Sequence, residues 1–491
     1  MTPKPRPGTQ LIAPERDELY AGLRVHSAIG EGAMGRAYLV AHPILRAPSV
    51  LKIFKQRDHT DVFSEAHLAA RVRSPHVVDV LDAGHDRHGQ PFLVVQYVDG
   101  IDLEELRTTL LRCGLRLPYA QVARMLAQAA RGLHAIHQAG ILHRDIKPAN
   151  LFLAGDGTVQ VGDLGVAVES LRARSGSRLT GTPLYMAPEL WNEDQERASD
   201  RRADLYSLGA TGHALATGSS PFDGPSILEI ARAHLEQEYA PEPVNDPVGA
   251  YLFAVLKTTL EKHIEHRPHT AEHVARALER VAEPCPRFTV DGPRRARFGA
   301  LTVQLVEGDI TAQECDVIVS AANVDLHMKE GVAAQLARVG GRAIEAEATS
   351  LAPARMGDVV WTGPGRLRCK WIAHAVSALG GAVCLQRATL RTLLGAEERA
   401  ARSVVFPALG TGVAQVPIEL AAHLILQAMT TFAAFQPTHV RELRVVLYGR
   451  DHFLRWSNIL SAACGEEKPS GRFTGALGSR EQGGVGSDET L

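Results

Sequence analysis

The chain has 491 residues, 45% hydrophobic and 22% charged, which leaves room for roughly three domain-sized cores. Its 53 basic and 55 acidic side chains nearly cancel, so bulk charge gives no pull toward nucleic acid or an anionic membrane. The opening MTPKPRPGTQ lacks the apolar core of a secretion signal, and the most apolar helical candidate, 419–435, is broken by His423 and Gln427 and is too short and polar to span a bilayer. Cys113, Cys285, Cys315, Cys369, Cys384 and Cys464 form no C-x-x-C pair, which fits reduced thiols and a cytoplasmic chain.

Residues 1–19 are expected to be a flexible N-terminus. From 20 to about 100 the pattern is strand-rich and punctuated by glycine; from 117 to about 280 it turns helical. Val122, Met125, Leu126, Ala129, Leu133 and Ile136 recur at three and four and predict one buried stripe. The Pro- and Arg-rich stretch 283–297 predicts a linker. Beyond it, DVIVSAAN (316–323), WIAHAV (371–376), SVVFPAL (403–409) and LRVVLYG (443–449) predict strands buried on both faces, with helices at 331–341 and 417–435 between some of them. The tail 465–491 holds seven glycines in 27 residues and is expected to be disordered.

Chemistry enters first at IGEGAMGRAYLV (29–40), where Gly30, Gly32 and Gly35 let backbone amides approach phosphate oxygens, although glycines also mark ordinary hairpins. Lys52 sits in the apolar strand SVLKIF and calls for an anionic partner. Glu65, the only glutamate between Lys52 and Pro75, is the candidate for orienting it; a solvated helix position is the plainer alternative. In LHRDIKPANLFL (142–153), Asp145 can accept a hydroxyl proton, Lys147 can neutralise charge on a transferred phosphate, and Asn150 can hold a magnesium ion. Asp163 in VGDLGVA, thirteen residues on, supplies a second metal ligand. Phosphoryl transfer needs positioning and charge neutralisation, and this ordered set provides both.

Over residues 20–282 the sequence resembles the eukaryotic-type Ser/Thr protein kinases of bacteria. The resemblance implies a two-lobed α+β fold, with ATP under a glycine loop of Ile29, Gly30, Gly32, Gly35 and Ala37, and Mg2+ or Mn2+ on Asn150 and Asp163. It also implies that GTPLYMAPE (181–189) binds substrate, that Asp204 braces the catalytic loop, and that Arg267 pairs with Glu189. Thr182 is expected at the catalytic loop, and Ser170, Ser175, Ser177 and Thr180 are candidate phosphorylation sites facing Arg144. Leu164 stands where relatives carry phenylalanine and Ala37 where they carry valine, but no chemical group is missing. His134 and His137 are expected to be packing residues, and His263, His266, His269 and His273 solvated rather than metal-binding.

In the last third, Asp309 follows one strand and Asn323 ends the next; a carboxylate there can accept from an adenine amino group and an amide can hold a ribose hydroxyl. A helix starting near Gly331 points amides at the same place, and Gly410, Thr411 and Gly412 form a loop able to wrap a diphosphate. GDIT, SAAN…GVAAQL and PALGTG together resemble the macrodomain family over about 298–464, which implies a three-layer α/β fold that binds ADP-ribose. Asp309 and Ile310 would then sit at the adenine, Tyr448 would stack on it, and Asn323, Gly331 and Val332 would face the distal ribose. Ser320, Lys329 and Glu330 replace the asparagine and glycines of relatives, and Ala333 stands where hydrolytic members carry an acid, so binding is expected rather than hydrolysis.

The resulting expectation is a Ser/Thr kinase that phosphorylates protein hydroxyls, joined to a macrodomain that senses ADP-ribose or ADP-ribosylated protein, with no membrane or nucleic-acid partner. The alternatives are a bifunctional kinase and ADP-ribosyl hydrolase, or a silent kinase-fold scaffold.

Overall fold

The computed structural model describes residues 18–31, 35–44, 47–55, 66–164, 182–191, 200–241, 243–282, 289–292, 294–379, 382–412 and 415–463. Its first lobe is a six-stranded antiparallel sheet in the order Leu19–Tyr20, Leu23–Glu31, Gly35–Ala41, Pro48–Phe54, Pro91–Gln96, Val80–His85. Side chains alternate across it. Tyr38, Val40, Leu51, Ile53, Phe92 and Val94 form one apolar face, while Leu39 points to the other.

The second lobe is helical. The expected stripe of Tyr119–Gln138 is fully buried at Val122, Met125, Leu126, Ala129, Leu133 and Ile136, and it packs on the helices Arg202–Thr217 and Ala271–Glu279. Each of these side chains except Ala129 contributes about 1.5–3 kcal/mol by leaving water. A three-stranded sheet, Gly100–Asp102, Leu151–Ala154 and Val159–Val161, carries the chain out of the catalytic loop.

The last third builds an eight-stranded sheet. Its inner strands Leu301–Glu307, Glu442–Leu447, Ser403–Pro407, Val317–Ala322 and Trp371–Val376 run parallel, and Val359–Thr362 closes one edge antiparallel. Alternate residues feed two cores. Ile318, Val405 and Val446 pack with Leu336 of the helix Gly331–Gly340 and Ile344 of Arg342–Ser350. Val317, Val404, Phe406 and Val445 pack toward Leu385–Glu398, Ile418–Ala433 and Arg450–Ala463. Helices on both faces make this the expected three-layer α/β unit.

The linker expectation needs correction. Thr289–Val290 and Arg295–Phe298 are strands that extend the eight-stranded sheet at its other edge. Ala296 is buried while its arginine neighbours are exposed, so a two-residue period was hidden by the Arg-rich composition. Among the described residues, no helix is long and apolar enough to cross a membrane.

The two halves share a seam. The buried cluster of the helical lobe runs without interruption into the face of the eight-stranded sheet that carries Leu390, Leu393 and Leu394. The helix Leu385–Glu398 lies on the strand Gly100–Asp102 and the helix Leu103–Arg112. Its first amides, Gln386 and Arg387, donate to the Asp99 carboxylate at 2.9 Å each, which caps a helix whose own N-cap residue, Cys384, makes no side-chain cap bond. Arg391 is held between Glu105, at 2.7 Å, and Asp358. Thr431 donates to the Gly155 carbonyl at 2.7 Å.

Candidate active site and nucleotide pocket

Between the lobes the chain assembles a constellation of charges. Asp204, on the helix Arg202–Thr217 and almost fully buried, accepts from the backbone amides of His143 (2.9 Å) and Arg144 (2.7 Å). His137 completes its coordination at 2.8 Å. Burial opposes charge on Asp204, but His137 and the catalytic-loop contacts hold its carboxyl below the ordinary range. His137, expected only to pack, is therefore part of the brace. Arg144 takes a left-handed φ of 63°, a conformation uncommon for a non-glycine residue and held here by the Asp204 bond to its amide.

This turn delivers Asp145. Its carboxylate receives Lys147 Nζ at 2.7 Å and Asn150 Nδ2 at 3.0 Å, and Thr182 Oγ1 lies 3.3 Å away. Lys147 also donates to Thr182 Oγ1 at 2.8 Å, so Thr182 is tied to the catalytic loop as expected. Asn150 Nδ2 donates to the Asp145 carbonyl at 2.7 Å, which turns the amide oxygen of Asn150 away from that bond. Arg267 and Glu189, both buried, form a two-pronged ion pair at 2.7 and 2.8 Å and anchor the far end of the segment.

From the upper sheet, Lys52 reaches Asp163 and pairs with its carboxylate. Desolvation in the cleft opposes that charge, and the Lys52 ammonium outweighs it, holding Asp163 below the usual carboxylate range. Lys52 faces Ala37 across the strand pair, and Gly30 faces Ala37 on the other side, so Ile29, Gly30 and Ala37 form the roof of the cleft. Gly35 is required sterically: a Cβ there would lie 2.1 Å from the Ile53 carbonyl oxygen. Leu164 is buried in the core next to Asp163. Gly32, Glu65, Ser170, Ser175, Ser177 and Thr180 lie outside the described residues.

The second site gathers at the C-terminal ends of the parallel strands, where open α/β sheets place their ligands. Asp309 follows Leu301–Glu307, Asn323 follows Val317–Ala322, Gly410–Gly412 follows Ser403–Pro407, and Tyr448 follows Glu442–Leu447. Asp309 Oδ1 accepts from the Thr311 amide and hydroxyl at 2.8 Å and from Gln335 Nε2 at 3.0 Å. Gln335 is thus a neighbour that sequence spacing did not single out. Asn323 does not cap the helix; its Oδ1 accepts from the His327 amide at 3.2 Å, inside the loop itself. Gly331 opens the helix Gly331–Gly340 with φ 57°, and a Cβ there would meet open space. Gly410 has φ 81°, and the Thr411 hydroxyl bonds the Ala408 carbonyl at 2.8 Å. Ile310 buries its side chain in the core and Val332 packs against the same cluster, which leaves their backbones for a ligand. Tyr448, just past the strand Glu442–Leu447, is 85% exposed.

A family model described as Protein kinase domain matches residues 23–278, and one described as Macro domain matches 319–425. The chain is similar to serine/threonine-protein kinase pkn3 of Myxococcus xanthus, 30% identical over 331 residues that cover 62% of this chain and 59% of that protein. It is similar to serine/threonine-protein kinase PknL of Mycobacterium tuberculosis, 32% identical over 284 residues that cover 55% of this chain and 69% of that one. Against serine/threonine-protein kinase PknB of Mycobacterium leprae the figures are 30% over 266 residues, 52% and 42%. Among solved structures, the kinase domain of Mycobacterium tuberculosis PknI is similar at 28% identity, covering 55% of this chain and 100% of that one with a TM-score of 0.42. The chain belongs to the protein kinase family, in its bacterial serine/threonine branch, and carries a Macro domain behind the kinase domain.

Proposed function

We propose that the cleft transfers the γ-phosphoryl group of ATP to serine or threonine hydroxyls of protein substrates, and that the Macro domain pocket binds ADP-ribose, free or on protein. The observation that carries the first reading is the single network joining Asp145, Lys147, Asn150 and Thr182, faced by the Lys52–Asp163 pair. In this reading the substrate hydroxyl oxygen forms the new bond to the γ-phosphorus while the bond to the β-phosphate bridging oxygen breaks, and ADP leaves. Asp145 receives the hydroxyl proton, and Lys147 balances charge on the group in flight. Thr182 keeps Lys147 on station. Asn150 and Asp163 would hold a divalent cation, which shields the phosphate oxygens when bound. Lys52, here paired with Asp163, would turn to the nucleotide phosphates.

The ADP-ribose reading is supported by an acid, an amide, two small-residue loops and an exposed tyrosine at neighbouring strand ends. Ala333, buried in the helix beside the loop, offers no acid or base, which favours binding over hydrolysis. Radiolabelled ATP with a generic acceptor protein tests the kinase reading: Asp145→Asn should lose phosphoryl transfer while retaining ATP binding, and near-normal turnover would refute the assignment. Calorimetric titration of the full chain with ADP-ribose tests the pocket.

A further inference from the structure

The loop that begins at the pocket ends in the seam between the two halves. Asn323 stands at the pocket, and the residues just after it bury their side chains against the kinase half. Val324 and Leu326 are at most 2% exposed and share a cluster with Leu39 of the upper sheet, Met356, Val376 and Cys384; Ile29 and Tyr97 pack against the same cluster. Ile29 is the first residue of the glycine-rich segment, and Leu39 lies two residues beyond Ala37 on its strand, on the same face. Tyr97 belongs to the crossover between the lobes, next to Asp99, which caps the helix Leu385–Glu398. Arg355 donates to the Ile29 carbonyl at 3.4 Å. The roof and the rear wall of the nucleotide cleft therefore rest on the Macro domain.

The loop itself is held under tension. Leu326 has φ 56°, a left-handed conformation costly for leucine, yet its side chain is fully buried. Two bonds from Asn323 maintain the turn: its carbonyl accepts the Leu326 amide at 3.1 Å and its Oδ1 the His327 amide at 3.2 Å. Met328 is tied to Glu345 Oε1 at 2.9 Å, and Ala354 to the Val324 carbonyl at 2.8 Å. A ribose hydroxyl at Asn323 Oδ1 shares that oxygen with the His327 amide, and so bears on the turn that holds Leu326.

We propose that residues 323–328 relay occupancy of the Macro domain pocket to the ATP cleft: ligand at Asn323 draws Leu326 out of the seam, loosens Ile29 and Leu39, and raises KM for ATP. The proposal rests on the ADP-ribose reading of the pocket. The docked state fixes the roof before ATP arrives, so ATP loses less freedom on binding; releasing the roof restores that cost. Because coupling is reciprocal, ATP must weaken ADP-ribose by the same factor.

The test uses the full chain with magnesium, ATP and a generic acceptor protein. Saturating ADP-ribose should raise KM for ATP about fivefold with kcat little changed, and a non-hydrolysable ATP analogue should weaken ADP-ribose equally in calorimetry. ADP-ribose also contains ADP, so Asp309→Ala provides the control: the ADP-ribose concentration that gives half the inhibition should rise about tenfold in that variant, and an unshifted response is competition at the cleft and overturns the relay. Leu326→Gly accepts the left-handed φ and removes the seam contact, so it should raise KM without ligand and abolish the response to ADP-ribose; an unchanged KM overturns the relay. Should that variant fold poorly, Arg355→Ala, which removes only the bond to Ile29, is expected to shift KM in the same direction, and failure to do so counts equally against the relay. ADP-ribose that binds the full chain without altering KM overturns the relay and leaves the pocket reading standing. Absence of ADP-ribose binding defeats the pocket reading, and the relay is then decided by Leu326→Gly alone.

Discussion

The kinase cleft and the Macro domain pocket use opposite materials. The cleft is a lattice of charged side chains, each held by another: Asp204 by His137, Asp145 by Lys147, Asp163 by Lys52 and Glu189 by Arg267. The proposed ADP-ribose pocket is mostly backbone at strand ends, with Asp309 and Asn323 as its chief polar side chains. Deleting one side chain from a lattice leaves its partner unpaired, whereas a backbone cradle survives most single substitutions. Mutations should therefore act steeply in the first half and gradually in the second.

The largest expected effect is that of Asp145→Asn, about 10²–10⁴-fold in phosphoryl transfer, because proton acceptance and the Lys147 contact go together. Next is Arg267→Ala, which strands the buried Glu189 and should cost about 3–5 kcal/mol of stability, read by denaturant unfolding of the full chain. Glu397 offers a counterexample within the Macro domain half. It is 1% exposed, and burial alone would raise its carboxyl, yet the amides of Thr438, His439 and Val440 and the Thr438 hydroxyl hold it below its ordinary value of 4.5. A carboxylate stabilised in the fold contributes fully above the unfolded value and loses that contribution as pH falls through the folded one. Glu397→Gln should thus cost about 1.5–3 kcal/mol at neutral pH. In denaturant melts the gap should narrow as the pH is lowered below about 4.5; a constant gap would remove Glu397 from the acid response.

Smaller effects belong to the pocket. Asp309→Ala should weaken ADP-ribose about tenfold and erase preference for adenine over other bases, measured by calorimetry with matched nucleotides. The smallest is a gain: glycine at both Lys329 and Glu330 should tighten ADP-ribose a few-fold, because backbone approach improves and the Glu330 charge is removed. Weaker binding by that double variant would mean that these side chains recognise the ligand.

The same contrast explains what could be read in the sequence. Asp145, Lys147, Asn150 and Asp163 stand at fixed spacings because one loop and one strand pair position them, and each carries a group that only certain chemistry needs. The strand ends of the Macro domain were visible as apolar runs ending in Asp309, Asn323 and Gly410. The strand Arg295–Phe298 reads as a linker because Arg295 and Arg297 obscure the alternation around Ala296. The seam left no local signal. Leu39 and Leu326 are ordinary apolar residues in their own segments, and only the fold brings them together. His137 likewise looks like one more position on a helix until Asp204 arrives from 67 residues away.

The cap that Asp99 places on Gln386 joins residues 287 positions apart, which gives the seam a history as well as a geometry. During synthesis at about 5–20 residues per second, the partner helix appears roughly fifteen to sixty seconds after Asp99. Over the last part of that interval, once residue 282 has been made, the kinase lobes lack the Macro domain contacts of Leu39, Tyr97 and Asp99. A growing chain therefore passes through a period in which a catalytic half exists without its backing, and completion of the Macro domain closes that period by covering it.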